Sequence, residues 1–301
     1  MKTNKVFFAF GKVQESKEAS DIKRYVGYAP CKILSVNPTA KELSEIYGRD
    51  IDKEPEYLST VDKDGKQISV IRLDFYLKTI ASKCNDIDII TKMTFFVRNS
   101  SMISSAGKLK VIDKYGRTAW VTKEEFENKA IPQYSNGPAR LDKAYRPIYQ
   151  GEEELLNMIK KHINIDNVDE YVNGAWRMKD NPEDYEAGFS NIPSWFKGDV
   201  SEIKDVLKLV PNNESVFQFG VRTTDDGKEY QDVFTRFTMK LSAKNRAEKF
   251  KEAVEDAQNN GAYPNTVFEF CELKEYSPKP TSFNNESTDD LPFGPSENPW
   301  A

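Results

Sequence analysis

Histidine is almost missing from this sequence: His162 is the only one in 301 residues. A Ser-His-Asp hydrolase or a histidine-based metal centre would have to rest on that one side chain. It follows Lys160 and Lys161 at the end of the helical stretch GEEELLNMIKKHINI, where a cation complements the carbonyl end of the helix dipole. The three cysteines, Cys31, Cys84 and Cys271, are far apart and odd in number. They fit a reducing compartment better than a disulfide framework. None of the paired short spacings of structural zinc motifs is present, so neither a Cys3His zinc site nor any other metal or cofactor is expected. GxxxxGK[ST] and GxGxxG are absent too, which removes the usual anchors of nucleotide hydrolysis and dinucleotide redox chemistry. No apolar run approaches the roughly 18 residues of a membrane span, and the apolar stretch in MKTNKVFFAFGKVQ is too short for a signal peptide. The expectation is a cytoplasmic, non-membrane protein.

What is abundant is charge, at 30% of residues, and aromatic rings, at 12%. Aromatics at that level suit half-buried strands and exclude the disordered class for the chain as a whole. The net charge of −5 argues at first against a nucleic-acid partner. Its distribution changes that reading. After Tyr276 the chain becomes SPKPTSFNNESTDDLPFGPSENPWA, rich in Pro, Ser and Asn and without helical or strand period. Glu286, Asp289, Asp290 and Glu297 outnumber Lys279 there, so the tail holds −3 and the body −2. Residues 1–276 are therefore read as the folded body and 277–301 as a disordered acidic tail. The tail's apolar residues sit in two clusters, Leu291-Pro292-Phe293 and Pro299-Trp300, a pattern suited to docking a partner protein.

The body reads as mainly strand. Period-two alternation places Ile71, Leu73, Phe75 and Leu77 on one face and Arg72, Asp74, Tyr76 and Lys78 on the other. The next such stretch sets Ile89, Thr91, Met93, Phe95 and Val97 against Ile90, Lys92, Thr94, Phe96 and Arg98. SVFQFGVR buries Phe217, Phe219 and Val221 and presents Gln218 and Arg222. From Glu229 to Leu241 the core face is Val233, Thr235, Phe237, Met239 and Leu241, with Phe234, Arg236, Thr238 and Lys240 opposite. Hairpin turns are expected at Lys63–Lys66, Lys114–Arg117 and Asp225–Lys228. Helices connect the strands: Asn37-Pro38-Thr39 caps TAKELSEIYG, Leu155, Leu156, Ile159 and Ile163 form a stripe, and so do Val200, Ile203, Val206 and Leu207. A further helix is expected between Ser242 and Asn260, followed by a strand TVFEFCEL, while 174–197 reads as a long loop. This is mainly β with helical insertions (α+β): a closed or partly closed antiparallel barrel, of which the oligonucleotide-binding (OB) barrel is one type.

The second strand face carries the chemistry. Arg72, Tyr76 and Lys78, then Lys92, Phe96 and Arg98, then Arg222, Phe234, Arg236 and Lys240 interleave cations with aromatic rings. Single-stranded nucleic acid needs that pairing, because cations track phosphates and rings stack on any base. Lys108, Lys110, Tyr115, Arg117 and Trp120 in KLKVIDKYGRTAW add a basic, aromatic hairpin suited to a flap over the groove. Two enzyme-like signals are weak. Glu272-Leu273-Lys274 with Asp232 matches the carboxylate-x-Lys element of a metal-dependent nuclease fold, and Asp225-Asp226 is turn chemistry before Gly227.

The segment Asp289-Asp290-Leu291-Pro292-Phe293 resembles the acidic C-terminal tip of bacterial single-stranded DNA-binding proteins, whose DD(I/L)PF motif docks replication and repair partners. In that family Phe ends the chain, whereas GPSENPWA follows here. The body resembles the single-stranded DNA-binding proteins of crAss-like and related phages of Bacteroides. The likeness runs through NPTAKELSEIYGRDIDKEPEYLS, VIDKYGRTAWVTKEEF, VNGAWRMKDNPEDYE and FGVRTTDDGKEYQ. These resemblances imply an OB-type core and non-enzymatic, sequence-tolerant binding of single-stranded DNA. They also imply work in phage DNA replication, recombination or repair in the host cytoplasm. Asp289, Asp290, Leu291, Pro292, Phe293 and Trp300 would then recruit phage or host replication proteins. The alternatives are a metal-dependent nuclease or other DNA-processing enzyme, and a phage interaction protein that uses the tail as a docking tag.

Overall fold

The computed structural model describes residues 23–63, 65–113, 118–129, 145–162, 168–172, 175–178, 181–187, 189, 192–208 and 214–277, with backbone alone for those within 160–187 and for 208. Tyr115, Arg117, the zinc candidate His162 by its side chain, and the tail residues Asp289 to Phe293 and Trp300 lie outside what is described. The first half of the chain forms β1 (Tyr25–Val36), α1 (Ala40–Tyr47), β2 (Leu58–Lys63), β3 (Lys66–Thr79), β4 (Ile90–Ser101), β5 (Leu109–Ile112) and β6 (Thr118–Val121). It continues through α2 (Lys123–Glu127), β7 (Arg146–Pro147), β8 (Tyr149–Gln150), α3 (Glu152–His162), β9 (Val168–Val172), β10 (Ala175–Met178) and β11 (Asn181–Ala187). The last part holds α4 (Ile192–Trp195), α5 (Ser201–Lys208), β12 (Ser215–Thr223), β13 (Glu229–Val233), β14 (Met239–Lys240), α6 (Arg246–Asn259), β15 (Thr266–Phe268) and β16 (Lys274–Glu275).

The main sheet is antiparallel and runs β13-β12-β1-β3-β4-β8, with β14 and β15 on β12, β16 on β1 and β2 on β3. It curls into a half-barrel, and β13 comes back to lie near β4 without a hydrogen-bonded ladder between them. Two smaller sheets, β11-β10-β9 and β6-β5-β7, stand beside it. The expected loop at 174–197 is thus β10, β11 and α4; its weak periodicity reflects strands only four to seven residues long.

The inner face follows the alternation in the sequence. Ile71, Leu73, Phe75, Leu77, Met93, Phe95, Val97, Phe217, Phe219 and Val233 form one core with Leu155, Leu156 and Ile159 of α3 and Ile203 and Val206 of α5. The register explains the contact: β3 and β4 pair without a bulge from Val70↔Arg98 to Lys78↔Ile90, so every second residue on both strands points inward together. Hairpins connect β2 to β3 and β12 to β13 where the turn residues predicted them.

The outer face is less solvated than the alternation implies. Helix α1 begins at an N-cap on Thr39, whose hydroxyl accepts from Glu42 N–H while the Glu42 carboxylate accepts from Thr39 N–H. Asn37, expected in the cap, is instead buried with its amide tied to Arg72 and Asp74 of β3. The helix lays Leu43 and Tyr47 on Tyr76 and Ile90, with the Tyr47 and Tyr76 rings edge to face at 6.0 Å. Burial lifts the Tyr76 hydroxyl to about 12. Tyr76, expected on an open face, therefore belongs to a core.

Phe234 is corrected in the same way. Strand β13 ends at Val233, where the Asp232 carboxylate accepts from the Val233 N–H, and the alternation breaks before β14. The Phe234 ring turns under α6, meeting Tyr263 at 5.2 Å and Phe268 at 5.9 Å, and is 1% exposed. Gln218, also expected outside, is buried beneath the same layer and donates to Glu269 O at 2.7 Å. Helix α6 occupies Arg246–Asn259 of the expected Ser242–Asn260 stretch, and TVFEFCEL forms ladder only at its first three residues. Phe234→Ala should cost about 3–5 kcal/mol of folding stability in chemical denaturation, the range for an emptied aromatic site. A loss under about 1 kcal/mol would return the ring to the surface.

Candidate nucleic-acid interface

The expected basic face separates into three parts. In its centre stands Asp74, 1% exposed, opposite Thr94 in the β3–β4 ladder. Its carboxylate lies 3.2 Å from Arg72 Nε and 3.1 Å from Lys92 Nζ, and accepts from Thr94 Oγ1 at 2.7 Å. Arg72 also lies over the Tyr57 ring at 5.5 Å. Two of the face's cations are thus engaged by a buried anion. Lys78 pairs with Asp88 at 3.4 Å at the far end of β3.

The second part is the seam, where β4 nears the segment leaving β13. Here a cleft of about 400 Å3 is lined by Thr94, Phe95, Phe96 and Arg98 of β4, Gly151 and Glu154 at the start of α3, and Thr235, Arg236, Ala262 and Tyr263. Phe96 is 49% exposed, which is unusual for a ring on a central strand. Arg98 and Arg236 are exposed and form no ion pair among the described residues. The wall at α3 is set by Gly151: with φ of 88°, its position would place a Cβ 2.0 Å from Phe96 O. Only glycine lets the β8–α3 turn rest on the β4 backbone beside the exposed ring.

The floor is a chain of hydroxyls. Thr235 Oγ1 donates to Glu154 Oε1 at 2.6 Å, so the short contact between Thr235 Oγ1 and Tyr263 Oη has Tyr263 as donor. The Thr235 N–H in turn donates to Tyr263 Oη at 2.7 Å. Burial is the main cause that pushes the Tyr263 hydroxyl up to about 12, with Glu154 and Asp232 adding to it. It stays protonated and keeps this direction across the physiological range.

The third part is peripheral. Lys110 on β5 is held by both Glu153 carboxylate oxygens, at 2.7 and 2.8 Å, and lies over the Trp120 ring at 5.5 Å. Trp120 is 39% exposed, and Lys108, directly before β5, is exposed. Arg222 lies 3.8 Å from Asp232 and over the Tyr230 ring, and Lys240 is half-buried on β14. Of the fifteen residues expected to touch DNA, thirteen are described, and the cleft unites Phe96, Arg98 and Arg236 among them. Sequence reasoning missed Gly151, Glu154 and Tyr263 as cleft residues and placed Thr235 in the core. The one sequence sign for them was Gly151 ahead of three glutamates, a helix start.

Two residues of the nuclease signal, Asp232 and Lys274, have protein partners. Lys274 pairs with Glu269, Asp232 is engaged by Arg222, Thr266 and the Val233 N–H, and no group of three or more His, Cys, Asp or Glu side chains could hold a metal among the described residues. Burial raises the Asp232 carboxyl above its ordinary value. Cys31 and Cys84 are free and buried.

Compared with known proteins, the chain matches no family model, no curated protein and no solved structure.

Gly151→Ala should lower stability by about 2–4 kcal/mol, from positive φ plus the clash with Phe96 O. Asp74→Ala should cost a smaller amount, about 1–3 kcal/mol, because Arg72 and Lys92 retain partial solvent access. Urea denaturation of both variants checks the order; an inverted order would contradict these assignments.

Proposed function

We propose that this protein binds single-stranded DNA without sequence specificity in its main contacts, as a non-enzymatic component of phage DNA replication or recombination in the host cytoplasm. The observation that carries the proposal is the seam cleft, which an exposed ring, Phe96, lines together with Arg98 and Arg236, two exposed arginines without an ion pair among the described residues. A base can stack on the ring while the guanidinium groups hold phosphates on either side. Duplex DNA keeps its bases stacked inside and offers nothing to Phe96. Lys108, Lys110 and Trp120 are the proposed continuation of the track, and an OB-type relation of the half-barrel is part of the same proposal.

The tail, 277–301, is assigned partner recruitment through Leu291, Phe293 and Trp300, and its charge of −3 makes it an intramolecular competitor for the arginines. Asp289 and Asp290 supply half of its carboxylates.

The test is a titration of the full chain with single-stranded and duplex DNA in EDTA. Single strands should bind tighter than duplex of equal length, and EDTA should change nothing. Phe96→Ala should weaken single-strand binding by about 1–3 kcal/mol with little change in melting temperature, since half of the ring is already exposed. Truncation after Tyr276 should strengthen binding modestly at low salt and abolish capture of replication proteins. Metal-dependent cleavage would establish the nuclease reading; absence of any DNA binding at low salt would leave the interaction protein.

A further inference from the structure

The floor of the seam cleft has a polarity that a merely sequence-tolerant groove does not need. Every hydroxyl proton there is committed: Tyr263 donates to Thr235, and Thr235 donates to Glu154 Oε1. The Thr235 N–H is committed as well, to Tyr263 Oη. What the floor still offers is acceptor capacity, since Glu154 Oε2 has no hydrogen-bond partner among the described residues. The mouth has the opposite character, with Arg98 and Arg236 able only to donate. A group entering between them meets donors at the rim and a carboxylate acceptor below.

We infer that the cleft reads the edge of the stacked base and prefers one carrying an exocyclic amino group, with Glu154 as the accepting side chain. This rests on the proposed single-strand binding and adds a base preference to it. The amino groups of cytosine, adenine and guanine can donate to Glu154 Oε2. Thymine has no amino group: its one N–H is flanked by two carbonyl oxygens, which face the carboxylate as like partial charges. A carboxylate accepting from cytosine N4 is an established form of base reading. Phosphates on Arg98 and Arg236 would fix the strand so that the edge of the base on Phe96 is turned to the floor.

The experiment compares oligo-dC with oligo-dT of equal length on the full chain, by fluorescence anisotropy at one salt concentration. Both are pyrimidines of similar stacking area, so their affinity ratio isolates the amino group. Wild-type protein should favour dC by about fivefold or more. Glu154→Gln retains an acceptor for Thr235 but replaces Oε2 by an NH2 donor, and should bring the ratio to parity or invert it towards thymine O4. The ratio is insensitive to the general gain in affinity from losing a negative charge. Equal binding of dC and dT by the wild type overturns the base preference and leaves single-strand binding standing. A preference that survives in Glu154→Gln, with an unchanged melting temperature, overturns the role of Glu154. Failure to bind either oligonucleotide overturns this inference and the proposed function together.

Discussion

The unclosed edge between β4 and β13 governs how the rest of the molecule is arranged. A sheet that curls but does not close leaves apolar inner residues on the strands that border the gap, here Phe95 and Val97 on β4 and Val233 on β13, open to water unless something fills it. Helix α3 does so with Leu155, Leu156 and Ile159. It enters the gap across the β4 backbone at Gly151. The seam keeps a cleft beside the start of this helix. Phe96, Arg98 and Arg236 line that cleft, and Glu154, in the first turn of α3, forms part of its floor. Closure and candidate site are one feature of the fold.

A second constraint limits where positive potential can act. Asp74 is buried between Arg72 and Lys92, so the middle of the β3–β4 face is locally balanced and its cations are held in place. Among the described residues, Arg98 and Arg236 at the seam carry positive charge without an ion pair, whereas Lys110 on β5 is held by Glu153. The body's small net charge of −2 is therefore compatible with a cleft that carries Arg98 and Arg236, because an approaching anion meets the local field rather than the net charge.

Much of the fold was legible because β3, β4 and β12 are long and place their inner apolar residues at every second position, even though β12 is buried on its other face as well. Outer residues are not, since alternation says only that they face away from the core. Whether a helix covers them depends on contacts distant in sequence, and that is why Tyr76 under α1 and Phe234 under α6 were misplaced. The stretch after Val233 failed for a local reason, a ladder that stops while the sequence pattern continues. Of the candidate site, Phe96, Arg98 and Arg236 were readable as a ring with cations. Glu154, Thr235 and Tyr263 come from three separate segments and meet only once the sheet curls, so no spacing in the chain could announce them.

The central claim is that single-stranded DNA lies in the seam cleft on Arg98 and Arg236. The most direct measurement is the salt dependence of single-strand affinity for the wild type and for the Arg98→Gln, Arg236→Gln double variant. The slope of log affinity against log salt should fall in magnitude by about 0.7 for each arginine removed, with the melting temperature unchanged. An identical slope and affinity in the double variant would contradict the account.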